Sequence, residues 1–397
     1  MKLPSTVPYE QIRQISLVLG KEPINIVTKP GLLDWDRLSP STELLGEYSN
    51  FRPTDSVLLF GCHQAALVVF LARNLSGDKL WVTGHDAVAF EMARRTLSVN
   101  KISTVRFLTD IDIPESLYHK FNAVLLQNPK GRLLARRWLL QAQLALVDGG
   151  SLYIAGANQA GIQSVIKDAG KLFGAVNILG YKKGNRVARL IKKLDDPPLP
   201  DWVHIPGIAP GIWVEFTITL SNHTFNIRSL PSVFSFDHLD EGTKMLLSAT
   251  TTPPGARVLD VGCGYGIIGL HAAVQGAGVV HLIDNNLLAV SSCRQTITLN
   301  NIPNAEVYVG DLLDPIGSNK YDLILSNPPF HTGHVVDYQI AQAMIDQSYQ
   351  ALNPEGQMII VANRFIRYDH LIKTIFGNVS TLAESGKFHV LSGLKSR

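Results

Sequence analysis

The chain has 397 residues, of which 46% are hydrophobic and 17% charged, and its formal net charge is +3. That balance excludes a disordered chain and leaves room for two or three buried cores, while the mild positive charge permits a nucleic-acid partner without requiring one. The three cysteines, Cys62, Cys263 and Cys293, have no CxxC or metal-ligand spacing, so neither disulfides nor a metal site is expected. No apolar run is long enough to span a membrane, and a reducing, cytoplasmic setting fits.

Residues 1–50 read as an opening region in which Ser39-Pro40-Ser41-Thr42-Glu43 has the form of a helix start. From there apolar strands alternate with helices. Strands are expected at 57–62, 80–84, 105–110, 121–129 and 151–155, helices at 65–73 and 87–100, and a turn at Val147-Asp148-Gly149-Gly150. This alternation predicts a doubly wound, mostly parallel α/β sheet. Residues 182–193 carry Lys182, Lys183, Arg186, Arg189, Lys192 and Lys193, either a solvated basic face or a phosphate-contacting one. Asp195-Asp196-Pro197-Pro198-Leu199-Pro200 is a stiff linker. A β-hairpin follows, with Trp213-Val214-Glu215-Phe216-Thr217-Ile218 in its first strand and Ser221-Asn222-His223 at its turn. Phe234, Asp237, Asp240, Gly242 and Thr243 then lead into a helix at 244–249.

The stretch from 258 to 330 organises the rest. Val258-Leu259-Asp260-Val261 is a buried strand, and the glycines of Gly262-Cys263-Gly264-Tyr265-Gly266 allow close backbone approach to a ligand. Gly264-Tyr265-Gly266-Ile267-Ile268-Gly269 fits G-x-G-x-x-G, with Asp284 about twenty residues on. By itself that serves a nicotinamide dinucleotide as well as S-adenosylmethionine. A second apolar strand, Leu323-Ile324-Leu325-Ser326, ends in Asn327-Pro328-Pro329-Phe330. Nicotinamide chemistry has no use for that ending, whereas amine methylation does. An exocyclic amine on an aromatic ring is planar because its lone pair is delocalised. The Asn327 side-chain oxygen and the Pro328 carbonyl can hold its two hydrogens, favouring a pyramidal nitrogen with its lone pair aimed at a methyl donor. Pro329 belongs to the same catalytic turn, and Phe330 can stack on an extruded base.

Cofactor contacts are expected from Asp260, from the turn residues Gly262, Cys263, Gly264 and Gly266, and from Asp284 with its neighbour Asn285. Asp311 with its neighbour Leu312, and Asn327, complete the set. Asp260 would accept from the methionine amine or organise the turn, Asp284 would hold the ribose diol, and Asp311 would accept from the adenine amine. The plain alternatives are a helix N-cap for Asp260, a tight strand–helix turn for the glycines, and a strand-ending turn for Asn-Pro-Pro-Phe. His331 and His334 receive no role.

The plan of the first half recurs about 200 residues later. Residues 57–62 pair with 258–263, Ser98-Val99-Asn100 with Thr298-Leu299-Asn300, and Thr109-Asp110 with Gly310-Asp311. Residues 121–129 pair with 321–328, and Ala157-Asn158 with Ala362-Asn363. Landmarks kept in one order point to internal duplication of one α/β domain. The first copy has Gly61-Cys62-His63-Gln64-Ala65-Ala66 in place of the glycine turn and Asn128-Pro129-Lys130-Gly131 in place of Asn-Pro-Pro-Phe. One glycine cannot bring several N–H groups to a ligand. The first copy is therefore expected to be inert in catalysis, with a structural or substrate-gripping role.

On Asp260-Val261-Gly262-Cys263-Gly264-Tyr265-Gly266, Asn327-Pro328-Pro329-Phe330-His331 and Val361-Ala362-Asn363-Arg364, the chain resembles the bacterial ribosomal RNA guanine-N2 methyltransferases of the RsmC/RlmG type. These are class I S-adenosylmethionine-dependent methyltransferases. The resemblance implies two duplicated Rossmann-like domains with a degenerate N-terminal copy at 1–194, a linker and hairpin at 195–230, and a catalytic domain at 231–397. It implies S-adenosylmethionine as cofactor, ribosomal RNA or a ribosomal subunit as partner, no metal or membrane, and a monomer. Asn-Pro-Pro-Phe also occurs in DNA adenine-N6 and protein glutamine methyltransferases, which stay open as alternatives. An NAD-dependent oxidoreductase and a non-catalytic RNA-binding factor are the other classes considered.

Overall fold

A computed structural model describes residues 7–194, 198–220, 222–328 and 338–397. The chain divides into two compact units, one of Gln11–Trp213 and one that joins residues 7–10 to Val214–Arg397. Asp195 to Pro197 of the expected linker, Ser221 of the hairpin turn, and Pro329, Phe330, His331 and His334 lie outside the described residues.

In the Gln11–Trp213 unit, strands β1 (Arg13–Leu19) and β2 (Glu22–Thr28) form a hairpin, and α1 (Pro40–Tyr48) follows. The Ser39 hydroxyl caps α1 by accepting from Thr42 N at 3.2 Å, and Pro40 occupies the first helical turn, where its missing N–H costs nothing. The alternation then runs β3 (Val57–Phe60), α2 (Ala66–Asn74), β4 (Leu80–Thr83), α3 (Ala87–Val99), β5 (Val105–Leu108), β6 (Phe121–Gln127), α4 (Arg132–Ala145), β7 (Leu146–Ala157), α5 (Ile162–Phe173), β8 (Asn177–Lys182) and β9 (Asn185–Ile191). The seven-stranded sheet has the order β5-β4-β3-β6-β7-β9-β8. It is parallel except at β9 and β8, which pair antiparallel. Helices cover both faces of such a sheet, so its central strands carry no polar alternation. Val57, Leu58, Leu59 and Phe60 are each 1% exposed or less.

The second unit repeats this plan. The hairpin β10 (Val214–Leu220) and β11 (His223–Ser229) and helix α6 (Glu241–Ala249) precede β12 (Arg257–Val261), α7 (Ile267–Val274), β13 (Val279–Asp284), α8 (Leu287–Leu299) and β14 (Ala305–Val309). Then come β15 (Tyr321–Ser326), α9 (Tyr338–Ala351), β16 (Leu352–Asn363), α10 (Tyr368–Phe376), β17 (Ser380–Glu384) and β18 (Phe388–Leu394). The sheet order, β14-β13-β12-β15-β16-β18-β17, is the same as in the first unit. Both units are thus doubly wound and Rossmann-like. The duplication also takes in the hairpin that opens each unit, which sequence reading found only before the second copy.

The repeated Ser-Val-Asn and Thr-Leu-Asn landmarks have a structural reason. Asn300 ends α8 and grips β11, accepting from Asn226 N at 2.9 Å and donating to Asn226 O at 2.7 Å. Asn100 at the end of α3 likewise donates to Asn25 O in β2. Thr96 and Thr296 add hydroxyl bonds to the same hairpin strands. These side chains satisfy backbone groups of a two-stranded ribbon that no sheet covers.

The turn expected at residues 147–150 lies inside the range of β7: the pairing with β6 slips there, from Phe121–Leu146 to Ala123–Ser151, and Gly149 has φ +76° with its N–H bonded to Lys192 O at 2.9 Å. One expectation needs correction. The cations of 182–193 do not make one basic face. Lys192 is 2% exposed and donates to the Gln143 and Leu146 carbonyls at 2.9 and 3.1 Å. Lys182 pairs with Glu43 at 2.7 Å, and Arg189 binds the Ser151 hydroxyl at 2.9 Å. Strand alternation sends Arg186 and Arg189, three residues apart on β9, to opposite sides of the sheet.

Candidate active site

The site of the second unit lies at the carboxyl ends of its parallel strands, where open α/β sheets bind ligands. After β12 the chain turns through Gly262, Gly264 and Gly266 at φ +73°, +57° and +92°, conformations that only glycine adopts without strain. A Cβ at Gly262 would meet nothing within 4 Å, and at Gly264 only Val233 at 3.7 Å. At Gly266 it would lie 2.6 Å from Cys293 Sγ, and at Gly269 2.5 Å from Leu282 Cδ2. The glycines therefore fall into two kinds. Gly262 and Gly264 leave an open cradle at the strand ends, whereas Gly266 and Gly269 let α7 sit against its neighbours.

Asp260 is wholly buried. Its Oδ2 accepts from Gly269 N at 2.9 Å, so it caps the first turn of α7 from the preceding strand. Its Oδ1 is buried without a partner among the described residues. Burial pushes the carboxyl up to about 7, against the pull of the Gly269 N–H, and the charge of Asp284 adds to the rise. Asp284, at the end of β13, accepts from Gly264 N and Asn286 N at 2.9 Å each, which ties it to the glycine turn. Its carboxyl is also raised by burial, with the N–H groups of Asn286, Gly264 and Asn285 opposing. Asn285 beside it is exposed. Cys263 is 5% exposed, and burial raises its thiol pKa, so it is no nucleophile. Past β14, half-buried Asp311 accepts from the Tyr9 hydroxyl, and Leu312 has a positive φ of +48°.

Asn327 is half-buried at the end of β15, directly before buried Pro328. Its side-chain nitrogen donates to Thr243 Oγ1 at 2.8 Å and to Asp240 Oδ2 at 3.3 Å. Asp240 is the N-cap of α6 and also accepts from Thr243 N at 2.9 Å. An ionised carboxylate only accepts, so the amide nitrogen must face it, and the Asn327 oxygen is turned away from both partners. Sequence reading named Asp240 and Thr243 only as part of the run into the helix. The signal was present, because Asp-x-x-Thr is an N-cap pattern, but its link to Asn327 exists only in three dimensions.

The structure brings Asp260, Gly262, Gly264, Asp284 and Asn327 to one edge of β12, β13 and β15, with Asp311 past the neighbouring β14. Pro329 and Phe330, expected from the sequence to be catalytic, lie outside the described residues. Strand register also corrects the alignment of the copies. Val57 pairs with Ala123 and Leu80, while Val258 pairs with Leu323 and Val280. Counting along each strand, Gln127 stands opposite Asn327, not Asn128. Gln127 donates to Thr42 Oγ1 at 2.9 Å as Asn327 does to Thr243. Leu59 and Gly84 stand where Asp260 and Asp284 do, so the first copy lacks both carboxylates.

The family described as Methyltransferase small domain matches the chain twice, over residues 23–189 and 224–392, once on each unit. Ribosomal RNA small subunit methyltransferase C of Chromohalobacter salexigens is 32% identical over 274 residues, 68% of this chain and 77% of that protein. The protein of the same name from Pseudoalteromonas translucida is 28% identical over 378 residues, 93% of this chain and 100% of its own length. Among solved structures, the T. thermophilus 16S rRNA N2 G1207 methyltransferase (RsmC) in complex with AdoMet and guanosine superposes with a TM-score of 0.80. It is 26% identical and covers 96% of this chain and 98% of its own.

Proposed function

This chain belongs to the ribosomal RNA small subunit methyltransferase C family, class I S-adenosylmethionine-dependent enzymes built on the methyltransferase small domain, and on that premise we propose that it methylates the exocyclic N2 amine of a guanine in small-subunit ribosomal RNA. The observation that carries this reading is the anchored amide of Asn327. With its nitrogen committed to Thr243 and Asp240, its oxygen is held ready to accept from an incoming amine. The choice of small-subunit RNA rests on the relatives that bear that name.

The residues fit the cofactor. The open faces of Gly262 and Gly264 admit a ligand at the backbone, Asp260 Oδ1 is a buried acceptor in want of a donor, and Asp284 and Asp311 present acceptors for a ribose and an adenine amine. When bound, S-adenosylmethionine supplies an electrophilic methyl group on its sulfonium. Asn327 Oδ1 and the Pro328 carbonyl hold the two hydrogens of the guanine amine and bias its nitrogen towards a pyramidal shape. No strong base is needed, because the nitrogen becomes acidic as it is alkylated and its proton passes to water. The catalytic gain is positioning and fixed dipoles. Phe330 stacks on the extruded base in this reading. The first copy, without the two carboxylates, serves as a structural and RNA-holding domain.

The test is methyl transfer to small ribosomal subunits from a strain lacking this protein, read by mass spectrometry of the RNA nucleosides. N2-methylguanosine should appear with wild type and fall steeply with Asn327→Ala. Labelled N6-methyladenosine, or label in protein alone, would overturn the assignment.

A further inference from the structure

Residues 7–10 belong to the catalytic unit although they lie about two hundred residues before it in the chain. Val7 is 8% exposed and Tyr9 7%, so both are packed. The Tyr9 hydroxyl donates to Asp311 Oδ1. One residue on, Glu10 Oε1 accepts from Gln347 Nε2 at 3.0 Å. The same Gln347 side chain, on α9, accepts from Leu313 N at 3.2 Å. The segment is thus tied at two points to the loop 311–313, directly through Asp311 and through Gln347 to Leu313. That loop holds the half-buried carboxylate assigned above to the adenine amine, next to Leu312 at φ +48°.

A carboxylate bonded at one oxygen no longer rotates freely about its Cβ–Cγ bond, so the direction of its second oxygen is set. We infer that Tyr9 is a positioning residue that orients Asp311 and thereby makes the site select a 6-amino purine over a 6-oxo purine in its cofactor. This rests on the S-adenosylmethionine reading of the site. A 6-amino group donates to a carboxylate, whereas a 6-oxo group meets it acceptor to acceptor. Sites built to receive a donor reject the analogue that lacks it, and the rejection weakens when the acceptor is free to turn away.

The experiment measures binding of S-adenosylhomocysteine and S-inosylhomocysteine to the full chain by calorimetry, for wild type and Tyr9→Phe, with the unliganded Tm of each. Tyr9→Phe keeps the packed ring and removes only the hydroxyl. The adenosyl ligand should bind roughly three- to tenfold more weakly, the scale of one hydrogen bond, with the inosyl ligand little changed and the discrimination ratio correspondingly smaller. An unchanged ratio overturns the inference, whether both affinities stay at wild-type values or both fall together as a structural effect would make them. If wild type binds neither ligand, it is the cofactor reading that fails, and the inference falls with it.

Discussion

At the residue scale, the anchored amide makes the sharpest predictions. Asn327→Ala should lower turnover by roughly 10²-fold, the scale of one preorganised polar contact, with cofactor affinity near wild type by calorimetry. Asn327→Asp keeps an acceptor for the amine, which favours activity by itself. It also replaces the nitrogen that now stands 3.3 Å from Asp240 Oδ2 with an oxygen, and two carboxylates at that distance repel. At pH 8 it should therefore be no faster than Asn327→Ala, and Asp240→Asn in the same chain should recover part of the rate. Wild-type turnover by Asn327→Asp alone would show that the Asp240 contact does not govern the amide. Thr243→Val should cost roughly tenfold in kcat, with Thr243→Ser restoring it. Asp260 makes a pH prediction. Its carboxyl stands at about 7 in the fold against an ordinary 3.8, so its neutral form is favoured by folding. Its contribution to stability is complete below about pH 4 and is lost as pH rises through 7. Asp260→Asn cannot ionise, so its unliganded Tm should gain on wild type between pH 5 and pH 8. A Tm difference that stays flat over that range would mean that Asp260 is charged throughout.

At the scale of the element, the strand–turn–helix of β12 and α7 separates two uses of glycine. Gly269 exists for packing: an added Cβ would lie 2.5 Å from Leu282 Cδ2. Gly269→Ala should destabilise the unit by about 1–3 kcal/mol in urea unfolding, and Leu282→Val in the same chain should return part of it. Gly262 exists for the turn and the open cradle, since a Cβ there meets nothing within 4 Å but the backbone is at φ +73°. Gly262→Ala should weaken cofactor binding more than it lowers Tm. Equal damage to folding by the two substitutions would remove the distinction. The hairpins illustrate the same scale differently. A two-stranded ribbon is marginal alone, and each is held by a Thr and an Asn from the helix that packs on it.

At the scale of the whole molecule, duplication has left two sheets of identical strand order and two unequal strand edges. Leu59 and Gly84 replace the carboxylates, and His63 and His85 are held near pKa 4 by burial, hence neutral, at the corresponding edge. Their Nδ1 atoms and Gln127 Oε1 are shut away from solvent without partners among the described residues. Calorimetry should give one S-adenosylmethionine per chain, abolished by Asp284→Ala. A second site of similar affinity would contradict this. No described helix is long and apolar enough to cross a membrane.

The sequence by itself determined the strand ends at which the proposed site is built. Apolar runs closed by glycine or by proline announce where a parallel strand stops, because both residues act on the backbone of their own neighbourhood. Asp260, Asp284 and Asn327 were legible for that reason, as were the duplication and the order of strands and helices. Only tertiary structure decided what local chemistry cannot encode. Thr243 and Asp240 lie more than eighty residues before Asn327 and hold its amide through space. The equivalence of Gln127 and Asn327, one residue from where the Asn-Pro match puts it, follows from strand register, which is set by pairing partners. Lys192 looks like part of a basic run and is buried, because its place just past β9 is set by backbone bonds to Gly149 and Gly150 and not by its charged neighbours in the chain. Tyr9 reaches Asp311 across some three hundred residues, and nothing in the pattern around either of them signals that contact.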